Sequence, residues 1–354
     1  MSLAFHSLSV ASVERDADAL IVGLHVPPDL RSTFVFTPGQ YLTLRTLDDG
    51  EDLRRSYSIC TTPDDPLLRV GVRLLPGGRF SGWALEHLHA GTSLDVLPPL
   101  GRFFVALDAS AERHHVFIAA GSGITPMLAL LAHTLANEPR SRCTLIYGNR
   151  RIASTMFREA LGELKNRYLA RLATYYVFSR EEQDAELFNG RLDATRIARF
   201  LGTLVPASGI DEAFVCGPAG MIDAATEALQ SAGVAPEHVH VERFGDSAAA
   251  AQHRVEASDA DHAQVTLVID GLARSVEFLL SDPSLLDAAR RCGLEVPYAC
   301  KAGVCSTCKG KLLEGNVRMD RNFALTPDEV AQGFVLCCQS HPTSERVTIT
   351  LDER

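Results

Sequence analysis

The residues with the strongest chemical signature are thiols. The chain has nine cysteines, and five of them crowd between positions 300 and 338. Cys300, Cys305 and Cys308 are spaced C-x4-C-x2-C, and Cys337 and Cys338 follow after 28 and 29 intervening residues. Thiolates at that spacing are the plant-type arrangement for a [2Fe-2S] cluster. Small residues between them, Ala302, Gly303, Ser306 and Thr307, let backbone N–H groups reach the sulfides. A structural zinc site is the main competitor, but its thiols usually come as two C-x2-C pairs. Neighbouring residues on an extended segment face opposite ways, so Cys337 and Cys338 cannot both face the irons without a kink.

Further motifs could hold dinucleotides. Arg55-Ser56-Tyr57-Ser58 offers a cation for a pyrophosphate, a flat aromatic for a flavin ring and hydroxyls for its N5 edge. Strand alternation puts Arg55 and Tyr57 on one face and Ser56 and Ser58 on the other, so a local twist must bring Ser58 to the ring. Gly77-Gly78-Arg79-Phe80-Ser81 precedes a short helix, where glycines admit a close approach and the helix start favours an anion. Taken singly, these are an edge strand with one surface arginine and a turn with a capping serine. The pair in this order is much rarer by chance.

Gly121-Ser122-Gly123-Ile124-Thr125-Pro126 follows a buried apolar run and opens a helix, the context of a phosphate-binding turn. Pro126 stands where the Rossmann fingerprint has its third glycine, which disfavours a lactate-type dehydrogenase. Cys216-Gly217-Pro218-Ala219-Gly220-Met221 repeats the strand–turn–helix pattern. By itself Cys216 is an ordinary small buried residue. Arg150, Ser179-Arg180 and Gly190-Arg191 lie at or beyond strand ends, where cations would select a 2′-phosphate and so NADPH. A scattered arginine surface is the bland alternative, and Arg151 is left to it.

These motifs need a framework. Short β-rich runs at 34–36, 41–44, 57–60, 69–74 and 93–97, punctuated by Gly and Pro, predict an antiparallel barrel or sandwich, with a short helical stretch at 83–89. From His114 the rhythm becomes strand–helix alternation, with strands at 116–120, 143–147, 174–178 and 213–216 and helices at 126–135, 155–165 and 220–231. That predicts a parallel, doubly wound sheet. Residues 246–262, with a four-alanine run and no aromatic, read as a solvated linker or else as a surface helix. A hairpin around Asp270-Gly271, a helix at 284–292, the cysteine loop and a last strand at 346–351 complete the chain. The expected division is 1–108, 109–245, linker 246–262, and 263–354.

At 354 residues, 46% hydrophobic and 22% charged, the chain has material for several cores. Its net charge of −10 argues against nucleic acid as a partner, since phosphate binding needs a basic face. No apolar stretch approaches membrane-spanning length, and no export signal opens the chain. A cytoplasmic protein is expected, and in that setting clustered cysteines point to redox or metal chemistry before disulfides.

Taken together, residues up to 245 resemble the ferredoxin–NADP reductase superfamily, and residues from 263 resemble a plant-type ferredoxin. The whole is similar to oxygenase reductases with a fused C-terminal ferredoxin domain. The resemblance implies a multidomain fold: an antiparallel β-barrel FAD domain, an α/β doubly wound NADP domain and a β-grasp [2Fe-2S] ferredoxin domain. It implies that Arg55, Ser56, Tyr57 and Ser58 bind FAD, and that Gly78, Arg79, Phe80 and Ser81 hold its pyrophosphate. Gly121, Ser122, Gly123, Thr125 and Pro126 would bracket the nicotinamide nucleotide with Cys216, Gly217, Pro218 and Met221, placing Ser58 and Cys216 at the reacting rings. Glu242 and Phe244 fall near the flavin, Phe244 standing in part for the family's terminal tyrosine. The ferredoxin ending, in which a small residue precedes the ligand, makes Cys338 the fourth ligand and Cys337 a packed thiol.

The implied activity is NADPH-driven electron delivery, through FAD and the cluster, to a separate oxygenase component. A reductase for another hydroxylase, desaturase or demethylase shares every motif. A cluster-based redox sensor is the non-enzymatic alternative, and it leaves both dinucleotide motifs idle. Lys301, Lys309, Lys311, Arg318 and Arg321 surround the thiols in sequence. They are expected either to dock an acidic patch of the partner or, more simply, to balance Glu314 and Asp320.

Overall fold

The structure is a computed structural model describing residues 3–245 and 254–353. By its contacts the chain forms two compact units. One comprises His6–Leu53 and Tyr57–Arg243; the other is built mainly from the chain after Arg243, with Arg54–Ser56.

The first unit begins with β1 (His6–Asp16), β2 (Ala19–His25), β3 (Tyr41–Asp48), β4 (Glu51–Ser58), β5 (Leu68–Arg73), α1 (Arg79–His87) and β6 (Ser93–Val96). The strands form one sheet in the order β4-β3-β6-β1-β2-β5. A bridge from Ile59, just past β4, to Val70 of β5 joins the two edges, so the sheet curls into a barrel. Leu8, Val22, Leu42, Leu44, Val70 and Val96 fill it at 0% exposure, each worth roughly 1.5–3 kcal/mol of apolar burial. Residues 34–36, expected as strand, join no ladder. Phe34 instead closes a turn onto Leu30 O at 3.1 Å and buries its ring, while Val35 is exposed.

The same unit continues with β7 (His114–Ala120), α2 (Ile124–Asn137), β8 (Arg142–Asn149), α3 (Arg158–Arg167), β9 (Leu172–Phe178), α4 (Ala194–Thr203), β10 (Glu212–Gly217), α5 (Ala219–Ser231) and β11 (Val239–Arg243). The five strands make a parallel sheet in the order β11-β10-β7-β8-β9. Strand order reverses between β7 and β10, which is where open α/β sheets bind ligands. Barrel and parallel sheet share one apolar core, in which Ala19, Ile21 and Cys60 lie with Phe103, Phe117 and Met127.

The second unit carries β12 (His262–Ile269), β13 (Leu272–Leu279), α6 (Leu285–Arg291), β14 (Lys309–Glu314), β15 (Val317–Met319), α7 (Pro327–Ala331), β16 (Phe334–Leu336), β17 (Ser340–Pro342) and β18 (Arg346–Thr350). A mixed sheet runs β13-β12-β18-β14-β16, with β12 parallel to β18, while β15 and β17 pair separately. Helix α6, capped by Ser284 accepting from Asp287 N, buries Leu285, Leu286, Ala288 and Ala289 in the core of this unit. A hairpin, a covering helix and a parallel return strand make the β-grasp arrangement. Of the stretch expected as a linker, 246–253 lies outside the described residues; Glu256 and Asp259 close a turn, and His262 already begins β12. Among the described residues, no helix is long and apolar enough to cross a membrane.

Candidate functional site

Strand β4 carries Arg55, Ser56, Tyr57 and Ser58. Ser58 is buried at its end and donates 2.9 Å to Glu242 Oε2. Tyr57 is half-buried against Phe80, ring centroids 5.5 Å apart. Arg55 Nη1 donates to its neighbour's carbonyl, Arg54 O, at 2.7 Å. Gly77, at φ +70°, turns the chain into α1, and Ser81 ties the turn by accepting from Leu75 N and donating to Gly78 O, both at 3.2 Å. Arg79, at the first position of that helix, pairs with Glu51 and, at 3.0 Å, with Asp48.

Two turns face each other at the sheet's switch point. A Cβ on Gly123 would lie 2.1 Å from Cys216 O, so only glycine lets the turn after β7 meet the end of β10. Gly121 takes φ +55°, with Tyr147 Oη donating to its carbonyl at 3.0 Å. Thr125 Oγ1 donates back to Ser122 O at 2.8 Å, and Pro126 sits buried inside the first turn of α2. Gly217 ends β10, Pro218 caps α5, and Met221 in its first turn is buried against Gly217.

In register, Cys216 lies directly across from Glu242 on β11. Ser58, Cys216 and Glu242 therefore converge from three strands. Burial pushes the Glu242 carboxyl up to about 7 against the lowering effect of the Ser58 hydroxyl, and burial, with Glu242 beside it, pushes the Cys216 thiol up. A neutral thiol, a hydroxyl and a carboxyl that titrates near neutrality can hold or move a proton beside a reacting ring. Phe244, on the second unit, is 39% exposed.

The cations expected to select the nucleotide lie at strand ends. The β8–β9 ladder continues past the strands, Ser179 N donating to Asn149 O at 3.0 Å and Arg180 N to Arg150 O at 2.9 Å. Gly190 N donates to Phe178 O at 2.7 Å, bringing Arg191 to the same end of the sheet. Arg150, Arg180 and Arg191 are exposed, and none forms an ion pair among the described residues. Arg73 on β5 carries no comparable signal in sequence. Its guanidinium, held by Asp18 at 2.9 Å, lies against the position a Gly121 side chain would fill.

In the second unit, the loop before β14 carries three of the thiols. Lys301, Gly303 and Ser306 all take positive φ, which coils the loop so that Ala302 N donates to Cys300 Sγ at 3.3 Å. The Cys300 thiol is within hydrogen-bonding reach of Cys305 and Cys338, and Cys338 within reach of Cys308. Cys338 N also donates to Cys308 Sγ at 3.4 Å. Cys337, 1% exposed, lies in the apolar core of this unit, a core that Cys308 and Cys338 also join. Four facing thiols with backbone donors aimed at sulfur fit a [2Fe-2S] group. A two-iron cluster shares its four cysteines between the irons.

Lys301, Lys309, Lys311 and Arg318 are paired within this unit. Lys301 meets Asp287 at 2.6 Å, Lys309 meets Glu329 at 3.1 Å, and Lys311 meets Glu353 at 2.7 Å. Arg318 is clamped between Asp259 and Asp320. The balancing acids are thus mostly not the expected ones, since Glu314 accepts from Thr348 Oγ1 and only Asp320 serves as anticipated.

Comparison with known proteins fits this geometry. The oxidoreductase FAD-binding domain family matches residues 10–105, the oxidoreductase NAD-binding domain family 117–227, and the 2Fe-2S iron-sulfur cluster binding domain family 267–343. The chain is 44% identical to one of the subunits of the 1,2-phenylacetyl-CoA epoxidase of Escherichia coli K12, over 99% of this chain and 98% of that one. The chain belongs to the oxygenase reductases of the ferredoxin–NADP reductase superfamily. This reductase is also 32% identical to the ferredoxin reductase component of 3-ketosteroid-9-alpha-monooxygenase from Rhodococcus rhodochrous, over 96% and 94% of the two chains. Its fold matches phthalate dioxygenase reductase with TM-score 0.59 over 98% of both chains, at 24% identity. The reductase is therefore an NAD(P)H-dependent oxidoreductase with FAD and [2Fe-2S], carrying electrons from a pyridine nucleotide to an oxygenase.

Proposed function

We propose that this reductase delivers electrons from NADPH to the oxygenase of a phenylacetyl-CoA epoxidase, which accepts them at the ferredoxin domain. The observation that carries this reading is the 44% identity with a component of that enzyme along nearly the full length of both chains. When bound, FAD would supply hydride acceptance from the nucleotide and one-electron release toward the iron–sulfur group, the redox chemistry belonging to the cofactors.

The chain's own residues position and tune. In this reading Arg55, Ser56, Tyr57 and Ser58 bind FAD, and the turn of Gly78, Arg79, Phe80 and Ser81 meets its pyrophosphate. Gly121, Ser122, Gly123, Thr125 and Pro126, with Cys216, Gly217, Pro218 and Met221, hold the nucleotide. Ser58 and Cys216 flank the reacting rings, with Glu242 and Phe244 nearby. Arg150, Ser179, Arg180 and Arg191 select the 2′-phosphate, supported by their shared position at the sheet end and by the absence of competing ion pairs on the three arginines among the described residues. Cys300, Cys305, Cys308 and Cys338 ligate the cluster. The domain limits 1–108, 109–245 and 263–354 and a cytoplasmic setting belong to the same reading.

Phenylacetyl-CoA-dependent NADPH oxidation in a mixture with the purified oxygenase tests it. A reductase for another oxygenase, the alternative that the 32% identity with the ketosteroid component keeps open, would oxidise NADPH without responding to phenylacetyl-CoA.

A further inference from the structure

Gln339 follows the fourth thiol directly and is only 7% exposed. Its Nε2 donates to Lys301 O at 3.0 Å and to Cys338 O at 2.8 Å, and stands 3.5 Å from Cys338 Sγ. Lys301 belongs to the loop bearing the other three thiols and takes φ +51°, a conformation that lysine adopts at a cost. The Gln339 stem presses on the same loop, since a Cβ on Gly303 would lie 3.1 Å from its Cγ. The backbone of Gln339 is fixed in turn, its carbonyl accepting from Asp320 N at 2.9 Å. One buried amide thus ties the two segments that bring thiols together, with one N–H on Lys301 O and the other shared between Cys338 O and Cys338 Sγ.

We propose that Gln339 is a positioning residue for the iron–sulfur group: it locks the three-thiol loop to the Cys338 segment and raises the cluster's reduction potential through its N–H on Cys338 sulfur. This rests on Cys338 being the fourth ligand. A donor on a ligand sulfur stabilises the more negative, reduced state, so removing it makes reduction harder. Losing the tie to Lys301 O frees a strained loop and opens a path for iron to leave.

The test uses the full-length holoprotein. Gln339→Met keeps the length and removes both donors, and Gln339→Asn keeps the amide and shortens its reach. Both should retain four-thiol ligation by absorption and electron paramagnetic resonance. The Met variant should show a more negative midpoint in redox titration and lose iron to bathophenanthroline roughly three- to tenfold faster, the factor expected from one net hydrogen bond. In the Asn variant the shortened amide cannot span from the Cys338 segment to Lys301 O, so both readouts should move in the same direction by less. A merely space-filling role would leave the midpoint in place, since Met fills nearly the same volume. Unchanged midpoints and iron-loss rates in both variants would overturn the proposal. If Gln339→Met fails to hold iron, the midpoint and iron-loss rate of Gln339→Asn decide. An error in the ligand assignment shows separately, as iron loss in Cys337→Ala with iron retained in Cys338→Ala.

Discussion

Ser58 donates a 2.9 Å hydrogen bond to Glu242 across 184 positions of sequence. Glu242 is also the register partner of Cys216, so one carboxyl joins the end of a barrel strand to the switch point of the parallel sheet. Burial raises that carboxyl to about 7, and the Ser58 hydroxyl opposes the rise. The NADPH–ferricyanide rate should therefore show an ionisation near neutral pH that disappears in Glu242→Gln. In Ser58→Ala it should move upward, because the group that lowers it is gone.

The same carboxyl affects stability with a defined sign. Its folded pKa lies above the ordinary value of 4.5, so from there to about 7 the native state holds a proton that the unfolded chain has released. Stability must fall as pH rises through that window. Thermal melts of Glu242→Gln across it should be flatter than those of the parent.

Glu138 gives the opposite case. It is fully buried, which alone would raise its pKa, but Arg113, Asp108 N and His115 donate to it and hold it at about 2. Its folded pKa is depressed, so its contribution is complete above the unfolded value of 4.5 and is lost as pH falls toward 2. Glu138→Gln should cost on the order of 3 kcal/mol at neutral pH, the magnitude of breaking a buried charge network. The gap to the parent in denaturant titration should narrow in acid.

Arg180→Ala should lower kcat/KM for NADPH by about tenfold, the value of one charge-assisted contact discounted for exposure. NADH use should stay nearly unchanged. Equal losses for both nucleotides would place Arg180 on some part of the dinucleotide that the two share.

Cys338→Ala should abolish the [2Fe-2S] absorption and electron delivery to cytochrome c while leaving FAD and the NADPH–ferricyanide reaction intact. Cys337→Thr should keep the cluster, because neighbouring residues on an extended segment face opposite ways and Cys338 is the one within reach of Cys300 and Cys308. The reverse pattern would shift the ligand register by one residue.

Much of the framework could be read from local signals. The strand–turn–helix repeats at Gly121 and Cys216 carry their own punctuation, and the C-x4-C-x2-C loop needs no tertiary context. Helix α4 has a local signal too, in Asp193, which caps it by accepting from Arg196 N at 2.9 Å, although the expected helices did not include it. Residues 34–36 misled because three apolar residues in a row look like a strand, whereas Phe34 is held by a turn and Val35 faces solvent. Arg73 and Gln339 were illegible for a different reason. Each acts through partners distant in sequence, Gly121 for one and Lys301 for the other, and no local spacing encodes such pairings. The ion-pair partners of the cations around the thiols were illegible for a similar reason: most of those acids are separated from them in sequence, at Asp259, Asp287, Glu329 and Glu353.

The central claim is electron delivery from NADPH to the oxygenase of a phenylacetyl-CoA epoxidase. Its most direct test is NADPH oxidation by the holoprotein mixed with that purified oxygenase, with and without phenylacetyl-CoA, with the epoxidised product measured. The account predicts oxidation and product formation that require both the oxygenase and the thioester, are faster with NADPH than NADH, and are lost in Cys338→Ala. NADPH consumption indifferent to phenylacetyl-CoA, with no product formed, would contradict it.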